Sequence, residues 1–442
     1  MDPENSAATP FSPLSRRSLI AAGALGALAC SAPRGRTQLV PVAGAPAAQA
    51  GLDALLGELS DQRGSVAPIQ KSAYARRRAR CGKLLAELGL DALLVESGTT
   101  LEWLADVRWG RSERLFALVV LADGSHFWIV PAFEAGRARL SIEAQGGPGG
   151  EIVAWDEDVY PFQPLASALT SRKVERLAIE PSLRYGFVDR LAALFGREKL
   201  VSGQQVLVRL RGVKEPEELA ILRRASELTQ LAVRTLARGV HPGMKGSEIG
   251  TWMARAHQKL GMSGPWCLPL VGAAAALPHG DASDEPIGEG SLILVDTGAT
   301  LHGYESDTTR TWVFGGKPTA EIERAWNAVR DAQWRAFETI RPGAQCRAVD
   351  KAARALFVER GFPGDYSAFT HRLGHGIGME GHEDPYFDSG SEVVLQPGMT
   401  FSDEPGLYFV GKFGVRLEDI VLVTEHGADH FGTWQKAIGA PD

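Results

Sequence analysis

Acidic side chains stand inside segments that otherwise read as buried strand, and this is the tightest constraint on how the chain can fold. Residues 291–299 read SLILVDTGA, with Asp296 directly after an apolar run, and residues 414–424 read GVRLEDIVLVT, with Glu418 inside another. TFSDEPGLYF (400–409) sets Glu404 ahead of a proline, which holds the backbone there extended. A carboxylate carried into an apolar interior is costly unless it is paired, hydrogen-bonded or bound to a metal, so the fold must bring partners to these acids. After a turn at Leu301-His302-Gly303, a second strand carries Asp307 in SDTTRT. Asp296 and Asp307 can therefore converge from neighbouring strands. Taken singly, the acids have plainer explanations: of Asp296 and Asp307, one caps a turn and the other pairs with Arg310, while Glu418 pairs with Arg416.

A second stretch supplies nitrogen. Residues 371–383 read HRLGHGIGMEGHE, placing His371, His375 and His382 among glycines. Alone, this is either a Gly-rich loop with solvated histidines or a metal-binding tract. Together the apolar segments contain Asp296, Asp307, His375, Glu404 and Glu418. One imidazole and four carboxylates suit two hard-to-borderline divalent cations better than a closed thiolate zinc site. Mn²⁺ is favoured, with Co²⁺ or Zn²⁺ as alternatives. Without metal, four acids around one histidine repel strongly, so the joint pattern is far more specific than any member.

The remaining chain frames this cluster. Its 442 residues suggest two or three domains, and 44% hydrophobic content is enough for sizeable cores. A net charge of −6 gives no electrostatic case for nucleic acid. Residues 1–32 carry Arg16-Arg17 ahead of the short run LIAAGALGALA, the layout of a twin-arginine export signal. Ala27-Leu28-Ala29 fits a cleavage site and Cys30 follows it, so the expected location is periplasmic or membrane-tethered through a lipid on Cys30. Cys81, Cys267 and Cys346 complete the cysteines without any C-x-x-C, which argues against a disulfide framework. Residues 33–70, rich in Ala, Gly and Pro, read as a linker; within them LDALLGEL (52–59) is a short amphipathic piece that either docks or stays loose. Residues 71–205 read as an α/β domain without a reactive cluster: a first helix with Arg76–Arg78 on a solvated face, a strand at DALLVE, a hairpin turning at Asp123-Gly124, then alternating helix and strand. Pro216 and its flanking glutamates start a long helix, and residues 206–442 form the second domain.

These residues resemble the pita-bread metallopeptidases, which include prolidase, aminopeptidase P, methionine aminopeptidase and creatinase. The resemblance runs over about 216–430 through VDTGA, SDTTRT, HRLGHGIGMEGHE, DEPG and VRLED. Residues 71–205 are similar, more weakly, to the creatinase/prolidase N-terminal domain. The implied fold is α/β (α+β): a creatinase-like α/β domain followed by a pita-bread domain with a curved, mainly antiparallel sheet. HRxGHGIG…HE is similar to the proline-specific branch, which implies hydrolysis of Xaa-Pro peptide bonds by a water activated between two metals, as a dipeptidase or an aminopeptidase. In that scheme Asp296 binds one metal, Asp307 and Glu418 bridge both, and His375 and Glu404 complete the second. Glu404 is also the general base. His279, His371 and His382 serve substrate and proton transfer, Arg416 orients carboxylates and Tyr304 lines the pocket. The resemblance further implies short proline-containing peptides as substrates, a homodimer, and glycines that let substrate backbone lie close to the metals. Two departures stand out: Gly381 replaces the usual Val or Ile before His382, and VGAAAALPHG lacks an asparagine often found before the Pro-His pair. Alternatives are non-peptidase chemistry on the same ligands, such as carbon–sulfur lysis or hydrolysis of a small amide or phosphotriester, and a metal-free binding module.

Overall fold

The structure, a computed structural model, describes residues 46–144 and 147–441. The expected export signal, Cys30 and the start of the linker lie outside the described residues.

The first domain is built on a mixed six-stranded sheet, ordered Glu151–Trp155, His126–Pro131, Ala117–Leu121, Ala92–Glu96, Leu177–Ile179 and Leu200–Ser202. Ala92–Glu96 is buried along its whole length. Because side chains alternate along a strand, Leu93 and Val95 enter one core, with Leu85 and Trp128, while Ala92 and Leu94 enter the other, with Phe127 and Leu165. The expected hairpin forms, Val119 pairing with Phe127.

Three expectations need correction. Of the Arg76–Arg78 run only Arg76 is solvated. Arg77 is 1% exposed, and its guanidinium lies 3.1 Å from Glu215 Oε2, 3.2 Å from Glu218 Oε1 and 3.1 Å from the Tyr304 hydroxyl. Arg78 donates to the Leu104 carbonyl at 2.8 Å. Arg77 sits at the seam with the second domain, whose carboxylates compensate its burial. The domain boundary also moves. Val206 and Leu210 of the Gln204–Arg211 helix pack into the first domain's core, so the division falls after Arg211 and not at 205. Finally, residues 46–70 are not a free linker. Pro46–Glu58 is a helix, and Leu52, Leu56 and Leu59, spaced to share one helical face, are buried among Leu236, Trp252 and Met253. Trp252 Nε1 donates to the Leu52 carbonyl at 3.1 Å, and Arg238 holds both oxygens of Glu58 at 2.7 and 2.9 Å.

The second domain opens with the Pro216–Ala237 helix, closed at its start by a reciprocal capping box between Glu215 and Glu218. Two larger antiparallel sheets follow, with a two-stranded ribbon of Gly406–Phe409 and Phe413–Arg416 beside them. One places Leu292–Leu301 between Ser263–Val271 and Thr308–Val313; the other runs Glu383–Phe387, Gly374–Gly376, Thr400–Asp403, Asp419–Val423 and Ala428–His430. A single antiparallel bridge between Thr309 and Glu418 joins them, and the acids of interest converge at that join. Helices Ala320–Thr339 and Cys346–Glu359 contribute to the core behind.

Glu383 fixes the domain junction to the second sheet. It is buried, with Lys214 Nζ at 2.7 Å from one oxygen and Arg211 Nη2 at 2.6 Å from the other. Although burial opposes ionisation, these two cations hold its carboxyl below its ordinary pKa. Two measurements check this packing by urea denaturation. Leu56→Ala is expected to cost about 2–5 kcal/mol, and Glu383→Gln, which leaves two cations facing a neutral amide, about 3–5 kcal/mol.

Candidate active site

Asp296 lies mid-strand in Leu292–Leu301, paired with Leu268 on one side and Thr309 on the other. Its Oδ2 accepts from Arg416 Nη2 at 2.6 Å. Asp307, just before the Thr308–Val313 strand, is 4% exposed, and Glu418 is 2% exposed with Oε2 held by the Thr309 hydroxyl at 2.7 Å. From the other sheet, His375 Nε2 lies 3.2 Å from Glu404 Oε1 and 3.7 Å from Asp307 Oδ2. The simple ion pairs therefore fail: Arg416 binds Asp296 and not Glu418, and Arg310 binds Asp419 at 2.6 Å and not Asp307.

The ligand atoms fall into three groups within 4.8 Å: Asp296, Asp307 and Glu418; His375, Glu404 and Glu418; and Asp307, His375 and His382. The fit to metal rests on what the protein leaves unsatisfied. Asp296 Oδ1 and Asp307 Oδ1 are buried and have no hydrogen-bond partner among the described residues. Buried polar atoms of this kind are ordinarily paired. His375 Nδ1 lies 3.1 Å from the Gly376 carbonyl, an acceptor for a proton on Nδ1, and Nε2 is the nitrogen that faces the acids and would ligate a metal.

Electrostatics agree. Burial, then repulsion from neighbouring carboxylates, pushes Asp307 and Glu418 well above the usual carboxylate range. Glu404, although burial opposes it, is held below its ordinary value by hydrogen bonding to His375 and by the Arg416 charge. Cations would replace the protons on Asp307 and Glu418.

The surrounding residues differ in part from expectation. His382 is exposed and stacks on His375 with ring centroids 3.7 Å apart, close enough to join a ligand group. His279 is exposed, in the turn after residues 272–276. His371 has both ring nitrogens engaged: Nδ1 with the Arg372 carbonyl and Nε2 with the Tyr408 hydroxyl, each at 2.8 Å. Burial pushes its pKa down to about 4, so it is a neutral, half-buried support for Tyr408. Tyr304 does not line the site. It is 1% exposed, and its hydroxyl donates to Glu218 at 2.8 Å in the domain seam. The glycines of 374–378 face protein and not substrate: a Cβ on Gly374 would come within 2.0 Å of the Ser402 carbonyl. Gly381 is the open one, with nothing within 4 Å of its Cβ position. Sequence reasoning missed Tyr408, which links His371 to Arg416 Nη1 at 2.9 Å, and Ser402, whose hydroxyl accepts from His375 N at 3.0 Å and donates to Glu404 Oε1 at 3.1 Å. Neither carries a spacing that marks it.

Residues 220–425 match metallopeptidase family M24, and residues 77–213 match the creatinase/prolidase N-terminal domain. The probable dipeptidase PepE of Mycobacterium tuberculosis is 36% identical over 358 residues, covering 80% of this chain and 93% of that protein. The Xaa-Pro dipeptidase of Pyrococcus furiosus is 36% identical over 259 residues, covering 58% and 73%. Among solved structures, dipeptidase PepE from Mycobacterium ulcerans superposes with a TM-score of 0.78 at 32% identity, covering 85% of this chain and 99% of that one. A prolidase from Thermococcus sibiricus gives 0.73 at 27%, covering 84% and 99%. The chain belongs to metallopeptidase family M24, on the pita-bread fold of prolidases and aminopeptidase P, and it is a peptidase with residues placed to ligate divalent metal.

The raised acids give a pH signature. Above their ordinary range, Asp307 and Glu418 bind more protons in the folded protein than in the unfolded chain, so metal-free stability falls as pH rises. Thermal melts of chelator-treated protein from about pH 5 to 8 are expected to show this decline, and added Mn²⁺ to abolish it.

Proposed function

We propose that this protein hydrolyses the Xaa-Pro bond of short peptides, with two divalent cations, Mn²⁺ first among them, held by Asp296, Asp307, His375, Glu404 and Glu418. The observation that carries it is the meeting of these side chains at one sheet junction with two buried carboxylate oxygens left unpartnered. The likeness to a protein named Xaa-Pro dipeptidase supports the substrate class. When bound, such cations polarise a carbonyl oxygen and acidify water.

The chain's own residues do the rest. Glu404 is kept ionised, and Ser402 fixes its Oε1, so its carboxylate is set to take a proton from water. Arg416, held by Asp296, Tyr408 and the Pro278 carbonyl, fixes the Asp296 carboxylate. His382 and His279, both exposed at the mouth, are the groups able to reach substrate and return a proton to the leaving nitrogen. In an Xaa-Pro bond that nitrogen has no N–H, so a dedicated pocket is required. From residues 15–30 alone, we propose export by the twin-arginine route, to a periplasmic state or, with a lipid on Cys30, a membrane-tethered one; from the family resemblance, we propose a homodimer as the working assembly.

A panel of Xaa-Pro dipeptides and Xaa-Pro-Yaa tripeptides with Mn²⁺, read by product length, tests the activity and separates dipeptidase from aminopeptidase. Cleavage of none of them would exclude the peptide-bond reading. Glu404→Gln is expected to retain the circular dichroism spectrum and lose about 10²–10⁴ in kcat. Gly381→Val, filling open space beside His382, is expected to leave the fold intact and to raise the preference for proline over alanine after the scissile bond by about tenfold; an unchanged ratio would place the proline contact elsewhere.

A further inference from the structure

The face of the first sheet that carries Asp296 also carries an aromatic side chain with no role in the core. Trp266, on the Ser263–Val271 strand, is 38% exposed. It pairs with Gly298, and Leu268 pairs with Asp296. Cross-strand partners point to the same face, so Trp266, Gly298 and Asp296 share one. On the other side of Gly298, Asp307 lies one residue beyond the Thr308–Thr297 pair. The glycine is required by this packing: a Cβ there would come within 1.9 Å of the Ser306 carbonyl and 2.8 Å of Trp266 Nε1. The indole thus leans over a floor without a side chain, beside two of the candidate metal ligands. Its N–H has no hydrogen-bond partner among the described residues.

The polarity of a bound substrate then follows, resting on the peptidase reading above. Of the two exposed histidines, His382 is the one that joins a candidate ligand group, stacked on His375 just before the Glu383–Phe387 strand of the opposite sheet, and it is therefore assigned as the proton donor to the leaving nitrogen. The leaving side of the scissile bond therefore faces the second sheet. The residue on the acyl side extends over Gly298 toward the Ser263–Val271 strand. We propose that Trp266 is the specificity-determining residue for the amino acid before the scissile bond, its indole packing against a large apolar side chain at that position. A flat, partly exposed aromatic surface accepts such a side chain and gives a glycine little to hold.

The test compares Leu-Pro with Gly-Pro for the Mn²⁺-loaded wild type, Trp266→Ala and Trp266→Phe. The wild type is expected to favour Leu-Pro, and Trp266→Ala to lower the Leu-Pro to Gly-Pro ratio of kcat/KM by about tenfold, mainly through KM. Trp266→Phe should restore most of that ratio, which a merely misfolded variant would not do. An unchanged ratio in Trp266→Ala, or equal losses on both peptides that Phe does not rescue, overturns the assignment while leaving the peptidase reading intact. A wild type that cleaves neither these peptides nor the wider panel overturns the peptidase reading first, and this assignment with it.

Discussion

The second domain depends on one electrostatic problem: several carboxylates are held together in a place that water reaches poorly. Burial, and after it their mutual repulsion, raises the proton affinity of Asp307 and Glu418, and backbone geometry must hold them against that repulsion. The Thr309–Glu418 bridge does this directly, because it joins the two sheets at the point where the acids meet. Arg416 lies on the same side as the acids, and Arg310 runs beneath them to Asp419 and the Glu418 carbonyl. Each arginine is nearly inaccessible, so neither is a surface ion pair of small value. They are counter-charges that make a concentrated negative site compatible with a folded core.

Strand alternation explains how each pair of adjacent acids divides its work. In Asp403-Glu404 and in Glu418-Asp419, the glutamate reaches the site. The aspartates occupy paired positions of their strands, Asp403 opposite Asp419. Asp419 is satisfied there by Arg310, Gln230 and Gln333. Asp403 has neither oxygen partnered among the described residues, and burial, followed by Asp419 and Glu404, drives its pKa well up. Its proton affinity is therefore raised while that of its neighbour Glu404 is lowered.

Much of this was legible in the sequence because the acids interrupt apolar strands, and an interrupted pattern needs an explanation. Asp296, Asp307, His375, Glu404 and Glu418 could be grouped without coordinates for that reason. The strands and the hairpin of the first domain were legible through apolar runs bounded by turn residues. What was not legible depended on contacts between distant segments. Arg77 looks like any helical arginine until Glu215 and Glu218 arrive from the second domain. Tyr304 looks like a pocket residue until the same seam claims its hydroxyl. The glycines of 374–378 suggested room for substrate, yet strands and the Glu383 side chain occupy that room. The 46–58 helix was legible in part: LDALLGEL showed an amphipathic piece, but whether it docks depended on Leu236, Trp252 and Met253, far along the chain.

The seam between the two domains is made of buried charge. Arg77 reaches across it to Glu215 and Glu218, and Arg211 and Lys214 reach Glu383. An interface of apolar side chains can be exposed at a cost that grows smoothly with area, whereas one of buried charges leaves uncompensated ions on both halves when it is cut. The helix from 46 to 58 adds a third piece that returns to the second domain before the first has begun. The chain is therefore not divisible where its two family segments meet. A fragment carrying every candidate ligand would still lack the cations that hold Glu383, and with it the strand beside His375. The smallest unit expected to assemble this site begins with the docked N-terminal helix, well upstream of the residues that do chemistry.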